Sequence, residues 1–224
     1  MKRFSIIILF LIVSIPLYAN DLSIGISGWY ADWKMVNADN STRKMDPVLY
    51  LGPSIAYQFS EKWSVTFVGL VTAKQYEMTD EYETTKIRRY DNDLALNYQL
   101  HRFIKIFAGA KYLGFTFKDG KHYGAGPGGG IGVTIPLVNN FYMLGNASLL
   151  YLWGTHEDNN PSKDFTEFGY NVAAQIAYYA ASLGVTASLG YRYQYFKSRY
   201  DTDEEDEHTF KGFTVLLVKS FHWE

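Results

Sequence analysis

Two short stretches of the sequence hold side chains that could do acid–base chemistry. Asp91 and Asp93 are separated by a single residue, and so are Asp206 and His208. In an extended strand, residues two apart point to the same side, so Asp91 and Asp93 present both side chains on one face, while Asp206 and His208 follow an acidic run in a predicted loop. A carboxylate or an imidazole can act as a general base when it lies within hydrogen-bond distance of the proton it removes. These four residues are therefore the candidates for catalysis.

Charged residues also recur on the polar side of the predicted strands. Pairing outward from a turn at 101–102 places Asp93 opposite Lys111, and pairing outward from a turn at 180–181 places Arg192 near Gly169 and diagonal to Glu167. Such charges are costly in lipid and are tolerated inside a barrel when they are paired or hydrated. The sequence thus predicts a charge network inside the barrel, formed by Asp91, Asp93, Lys111, Glu167 and Arg192.

This network has two interpretations. A narrow barrel is just wide enough for side chains to fill, which favours a polar plug that holds the walls together. The alternative is a selective lining or gate for a small charged solute.

A glycine-rich segment resembles a phosphate-binding motif only superficially. Gly124, Gly126 and Gly129 match the spacing G-x-G-x-x-G, but no helix follows them. Glycine at every second position from 124 to 132 instead predicts one strand with an almost bare inward face. No cofactor is predicted.

No metal site is predicted either. The acidic run from Asp201 to Glu207 lacks the spacing of an EF-hand and is interpreted as a solvated, self-repelling loop. The histidines have no metal-ligand spacing. Three of them are assigned to different outer loops, namely His122, His156 and His208.

The elements that must position all these residues are β-strands. Alternation of apolar and polar residues predicts about ten of them, and helical periodicity is nowhere competitive. The segment from 183 to 195 alternates without a fault and is long enough to cross a bilayer, since a tilted strand needs about 9–11 residues. The predicted strands lie near 22–35, 47–59, 63–76, 87–100, 103–117, 123–136, 141–153, 166–179, 182–196 and 210–223.

The connections alternate in length, as they do in outer-membrane barrels. Short links are predicted at 60–62, 101–102, 138–140 and 180–181, and polar loops at 36–46, 77–86, 118–122, 154–165 and 197–209. The predicted fold is all-β: a closed antiparallel up-and-down transmembrane β-barrel of ten strands. Eight or twelve strands remain alternatives, because Pro53 and Pro127 fall inside strands, where bulges or earlier strand ends are expected.

The same topology places aromatic residues at two levels, as expected for the two membrane interfaces. The loop ends carry Tyr30, Tyr90, Tyr112, Phe168, Tyr170, Tyr191 and Tyr193. The turn ends carry Phe59, Trp63, Tyr98, Tyr178, Phe221 and Trp223.

The N-terminus predicts export. Lys2 and Arg3 precede an apolar stretch that ends at Ala19, which indicates a signal peptide over residues 1–19 and a barrel over residues 20–224. The chain has no cysteine, which excludes disulfides and a lipid-modified cysteine. Without Lys2 and Arg3 the formal charge is about −4, so nucleic acid is not an expected partner.

Two resemblances follow from these residues. The last strand, with Phe213, Val215, Leu217, Phe221 and Trp223 on one face, resembles the closing strand of small opacity-type outer-membrane barrels, although Glu224 follows the terminal aromatic. This resemblance implies recognition by the outer-membrane assembly machinery. The pairs Asp91/Asp93 and Asp206/His208 resemble those of the omptins, ten-stranded outer-membrane proteases that activate a water at the extracellular rim. That resemblance implies catalytic roles for the four residues.

Three functions follow as hypotheses. The first is a non-enzymatic structural or surface protein that contacts outer-membrane lipid or lipopolysaccharide and any extracellular ligand through its loops. The second is a narrow solute channel. The third is a rim hydrolase of omptin or lipid-modifying type.

Overall fold

Apolar and polar residues alternate along the strands, and strands that are adjacent in the wall pair antiparallel. The structure is a computed structural model that describes residues 21–79, 84–158, 161–202 and 204–222. Its strands are β1 (Asp21–Val36), β2 (Thr42–Gln58), β3 (Trp63–Thr72), β4 (Tyr76–Thr79), β5 (Thr84–His101), β6 (Ile104–Phe117), β7 (Gly120–Pro136), β8 (Phe141–Glu157), β9 (Lys163–Ala180), β10 (Val185–Tyr200) and β11 (Glu205–His222).

The sheet closes on itself. The first strand, β1, pairs with both β2 and the last strand, β11. Because β3 and β4 both pair with β5, they occupy one position in the wall. The result is a closed antiparallel barrel of ten strands, which confirms the predicted fold class. The part of the chain that the structure describes contains no helix long and apolar enough to span a membrane.

The alternation separates an outer surface from a lumen. Large apolar side chains on the outer surface remain exposed, among them Ile26 at 61%, Leu189 at 59% and Leu217 at 57%. Their sequence neighbours point inward, where tryptophans and charged residues are buried together, as Trp29, Trp33, Arg89 and Asp91 illustrate. The barrel is therefore apolar outside and mixed inside, the reverse of a soluble ligand-binding barrel.

Pro53 and Pro127 cause neither the bulges nor the earlier strand ends that the sequence predicts. Strands β2 and β7 run through Pro53 and Pro127 without ending, and the pairing has the same register before and after each proline. A single missing N–H removes one ladder bond but does not force a bulge.

A third proline lies at a real irregularity. The β1–β2 register shifts between Ala31 and Trp33, so that Asp46 and Pro47 have no partners on β1. The carbonyl of Leu49 accepts a hydrogen bond from Ala73 N–H at 2.7 Å. Between residues 42–48 of β2 and strand β4, the described residues form no backbone ladder. We call this unpaired boundary between residues 42–48 and β4 the seam.

The outer connections are shorter than predicted, because the strands continue beyond the expected boundaries. Asp206 and His208 lie in β11 rather than in a loop, and His122 and His156 lie in β7 and β8. The acidic run is paired rather than self-repelling: Lys163 binds Glu204 at 2.7 Å, and Arg199 binds Glu205 at 3.1 Å. The hydrogen bond from Lys163 holds the pKa of Glu204 below its usual range.

The turn between β9 and β10 is longer than predicted, which changes the register between these two strands. Residues Ala181–Leu183 form a 3₁₀ turn that ends at Gly184, whose φ is 58°, so β10 begins only at Val185. The longer turn places Arg192 opposite Ala173 rather than near Gly169. The predicted signal peptide, Trp223 and Glu224 lie outside the described residues.

Candidate functional site

A buried carboxylate lies at the centre of the lumen. Asp91, on β5, accepts from Lys111 Nζ at 2.8 Å and from Arg192 Nη2 at 3.1 Å. Arg89, two residues earlier on the same face, is 3.7 Å from the second carboxylate oxygen. Three cations thus surround one fully buried anion, and a buried charge is tolerated only when it is paired in this way.

Four of the five residues of the predicted charge network meet here. Lys111 lies opposite Asp93 in the ladder and binds it at 2.8 Å. Asp93 is 44% exposed, so it adds a hydrated second anion at the edge of the cluster. Glu167 is not part of it, because the shifted register moves Arg192 away; Arg192 Nε donates to Asn171 instead, at 2.6 Å.

Aromatic rings complete this level of the lumen. The Arg89 guanidinium lies 3.3 Å from the centroid of Phe210, and the Arg192 guanidinium lies 4.2 Å from that of Trp29. Arg89 also donates to Gln194 at 3.1 Å. We call this set the closing layer: Trp29, Tyr50, Arg89, Asp91, Lys111, Arg192, Gln194, Phe196 and Phe210.

The closing layer separates two cavities. The inner cavity, of about 500 Å³, is lined mainly by small and polar side chains and includes Asp93. The outer cavity, of about 620 Å³, includes Trp33, Asp206 and His208. No residue lines both cavities: along β5, Arg89 and Asp91 of the closing layer lie between Ile87, which lines the outer cavity, and Asp93, which lines the inner one.

Near the outer cavity lies a chain of titratable groups. His122 Nε2 is 3.0 Å from Glu167 Oε1, and Ser198 donates to the same oxygen at 2.7 Å. The other ring nitrogen of His122 is 3.4 Å from Nδ1 of His156. Because the serine bonds to the glutamate and not to a histidine, the group lacks the nucleophile–base contact of a hydrolytic triad.

The four catalytic candidates do not assemble. Asp91 is held by three cations and Asp93 faces the inner cavity, while Asp206 and His208 face the outer one. Asp206 accepts from the backbone N–H of Ala38 at 3.1 Å, and His208 accepts from Trp33. A base cannot act on water from the far side of the closing layer. Within the described residues no group of three His, Asp or Glu side chains could hold a metal ion.

Two features of the site were missed from the sequence although a signal existed. Arg89 alternates with Asp91 and Asp93 on one strand face, which places it in the lumen. His122 and His156 are directly opposite in the ladder, as pairing outward from the predicted turn at 138–140 requires. The two histidines were not paired because the predicted strands 123–136 and 141–153 stop short of them, whereas Arg89 lies inside the predicted strand 87–100 and could have been placed in the lumen.

Comparison with known proteins gives a likeness in fold. No family model and no curated protein sequence match the chain. Its structure is similar to that of the outer membrane protease OmpT from Escherichia coli, with a TM-score of 0.57 and 13% identity over 93% of this chain and 98% of that chain.

Two further solved structures match less well. The outer membrane protein OprG from Pseudomonas aeruginosa has a TM-score of 0.36 and 14% identity, over 92% of this chain and 98% of that chain. Ail of Yersinia pestis has a TM-score of 0.30 and 12% identity, over 87% and 97%. The fold is that of the bacterial outer-membrane β-barrels.

Proposed function

We propose that the chain is an integral protein of the bacterial outer membrane that presents its outer hairpins and outer cavity at the cell surface. The exposed apolar band, with Ile26, Leu189 and Leu217, supports a lipid environment, because a surface of this kind is not stable in water. Aromatic side chains at both ends support it further: Tyr191 packs against Phe213, and Trp63 packs against Tyr98.

The closing layer is the observation that favours a surface protein over a solute channel. An ion crossing this level must separate Asp91 from Arg192 and Lys111, and it must also displace the rings of Trp29 and Phe210. Breaking a buried ion pair leaves uncompensated charge in a low-dielectric environment. The lumen is therefore proposed to be electrically closed.

Two partners belong to the same proposal. Exposed Lys34 and Lys44 are directly opposite on neighbouring strands. Like charges in that position repel unless an anion lies between them, which favours contact with the phosphates of outer-leaflet lipid or lipopolysaccharide. The outward apolar face of β11 supports recognition of the last strand by the assembly machinery.

Conductance tests the closed lumen directly. Purified wild-type protein in planar bilayers should give no discrete steps under conditions in which a known porin conducts. The Asp91→Ala/Arg192→Ala double variant removes the central pair from opposite walls and should introduce small steps. Discrete wild-type conductance would contradict the proposal.

The hydrolase hypothesis has a separate test. Asp91 lies within the closing layer and Asp93 lines the inner cavity, whereas His208 lines the outer cavity, which argues against this hypothesis. Wild-type protein should therefore not cleave a peptide library. Cleavage that is lost in both Asp206→Ala and His208→Ala would restore this hypothesis.

A further inference from the structure

The wall of the inner cavity carries more positive than negative charge. Its charged side chains are Lys105, Lys111, Arg192 and Asp93. Both oxygens of Asp93 accept from Lys111 Nζ, at 2.9 and 2.8 Å, so the carboxylate among the described lining residues is already neutralised. Arg192 is bound to Asp91 of the closing layer. Lys105 is therefore the cation that this cavity leaves without an anion.

The ammonium group of Lys105 is accessible from the cavity. Among the described residues the partly buried Lys105 has neither an ion pair nor a hydrogen bond, yet its Nζ is not sealed from solvent. A Cβ built on Gly132, its partner in the ladder, would lie 2.9 Å from Cγ and 2.7 Å from Cε of the lysine. The stem therefore lies against β7 inside the barrel instead of extending out of its end, which keeps the ammonium in the lumen.

Neutral hydrogen-bond donors lie on the next strand. Asn146 and Ser148, on β8, are opposite Gly132 and Gly130 in the ladder, and both line the inner cavity. Asn146 Oδ1 accepts from Asn171 Nδ2 at 3.4 Å, which leaves the amide hydrogens of Asn146 available. Because the facing glycines have no side chains, nothing of β7 covers these two donors.

The charge and the volume of the cavity define the class of ligand. An ammonium that is partly removed from water without a counter-ion is unfavourable, and an anion beside it removes that cost. A single unpaired lysine balances a single negative charge, which favours a carboxylate over a phosphate dianion. The hydroxyl and amide groups of the wall suit a ligand with hydroxyl groups. The volume of about 500 Å³ lies within the range of ligand pockets.

We propose that the inner cavity binds a small hydroxylated monocarboxylate, whose carboxylate accepts from Lys105 Nζ and whose hydroxyl groups contact Asn146 and Ser148. The closing layer ends the cavity on one side, so the ligand enters from the side of the short turns, where Ser23 and Ser220 line the wall. In the orientation proposed above, this side faces the periplasm. Binding requires no passage through the closing layer, so the site is independent of whether the lumen conducts.

A matched pair of probes tests the proposal. Gluconate and glucitol share one hydroxylated carbon chain and differ in one terminal group, a carboxylate or a CH₂OH. In saturation-transfer NMR titrations of wild-type protein in nanodiscs of zwitterionic lipid, with empty nanodiscs as background, gluconate should bind about tenfold more tightly than glucitol. Lys105→Met, which keeps an apolar stem of similar shape, should bring the two affinities together. Lys62→Met, which removes an exposed cation from the turn between β2 and β3, should leave the preference intact.

Chemical labelling gives a second measurement that needs no variant. Acetylation of Lys105 by acetic anhydride, followed by mass spectrometry, should slow with gluconate but not with glucitol, while acetylation of Lys62 stays unchanged. Equal wild-type affinities for the two probes, no saturable binding of gluconate, a preference that survives in folded Lys105→Met, or an unprotected Lys105 would overturn the proposal. A heat-dependent gel shift checks that each variant is folded.

Discussion

Asp91 makes the three cations of the closing layer compatible with burial. Lys111 and Arg192 bind it directly, and Arg89 lies 3.7 Å away. All three cations are almost fully buried, so their mutual repulsion is not screened by solvent. The single carboxylate therefore decides whether the layer forms.

Removal of Asp91 should destabilise the barrel far more than removal of its neighbour. Asp91→Ala leaves the buried cations Arg89 and Arg192 without an anion and Lys111 with the partly exposed Asp93 alone, and it should lower the free energy of unfolding by about 3–5 kcal/mol. Asp93→Ala should cost less than about 1 kcal/mol, because Asp93 is 44% exposed and Lys111 retains Asp91. Denaturant unfolding in micelles measures both, and equal losses would contradict the central role of Asp91.

At the scale of the elements, period-two alternation predicted the strands, the facing of their residues and their number. The alternation did not predict where the strands end, because the part of a strand that extends beyond the lipid is polar and resembles a loop in sequence. Asp206 and His208 were assigned to a loop for this reason. The Asp93–Lys111 contact followed from a tight turn, whereas the 3₁₀ turn at Ala181–Leu183 shifted Arg192 away from Glu167.

Adjacent leucines on β11 test the facing of a strand. Leu217 is 57% exposed on the outer surface, while Leu216 lines the inner cavity. Leu217→Arg should cost about 2–4 kcal/mol, as expected for a cation on the lipid face near the midplane. Leu216→Arg should cost clearly less in the same refolding titration into lipid vesicles. The reverse order would mean that the facing is inverted.

The seam should be the least protected part of the wall. Pro47 has no N–H, and above Leu49 the described residues of β2 and β4 share no ladder. Amides of residues 42–48 that point towards β4 should therefore exchange with solvent faster than those of the lower half of β2, which are paired with β3. Hydrogen exchange followed by NMR compares them, and uniform protection along β2 would contradict the seam.

At the scale of the whole molecule, the closing layer joins opposite walls. Strands β5 and β10 have four wall positions between them in either direction around the barrel. Contacts between described residues that cross this diameter include Arg192 to Asp91 at 3.1 Å, Arg89 to Gln194 at 3.1 Å, and the Arg89 guanidinium over the ring of Phe196 at 5.5 Å. Neighbouring strands are held by the ladder, but only contacts of this kind fix the separation of distant ones.

Distances across the barrel should reflect this difference. Because the chain has no cysteine, spin labels can be attached at introduced cysteines alone. Labels at Leu94 and Leu189, on β5 and β10, should give a narrower distance distribution than labels at Ile26 and Ile131, on β1 and β7. Asp91→Ala should broaden the first distribution and leave the second unchanged. If the two distance distributions have equal widths in protein that retains Asp91, the contacts across the β5–β10 diameter do not restrict its length.

The contacts across the diameter also give the barrel mechanical stiffness. Lateral pressure from the bilayer tends to flatten a hollow cylinder into an ellipse, and flattening along the β5–β10 diameter must compress or stretch the contacts of Asp91 and Arg89. The closing layer therefore resists flattening of the barrel along this diameter.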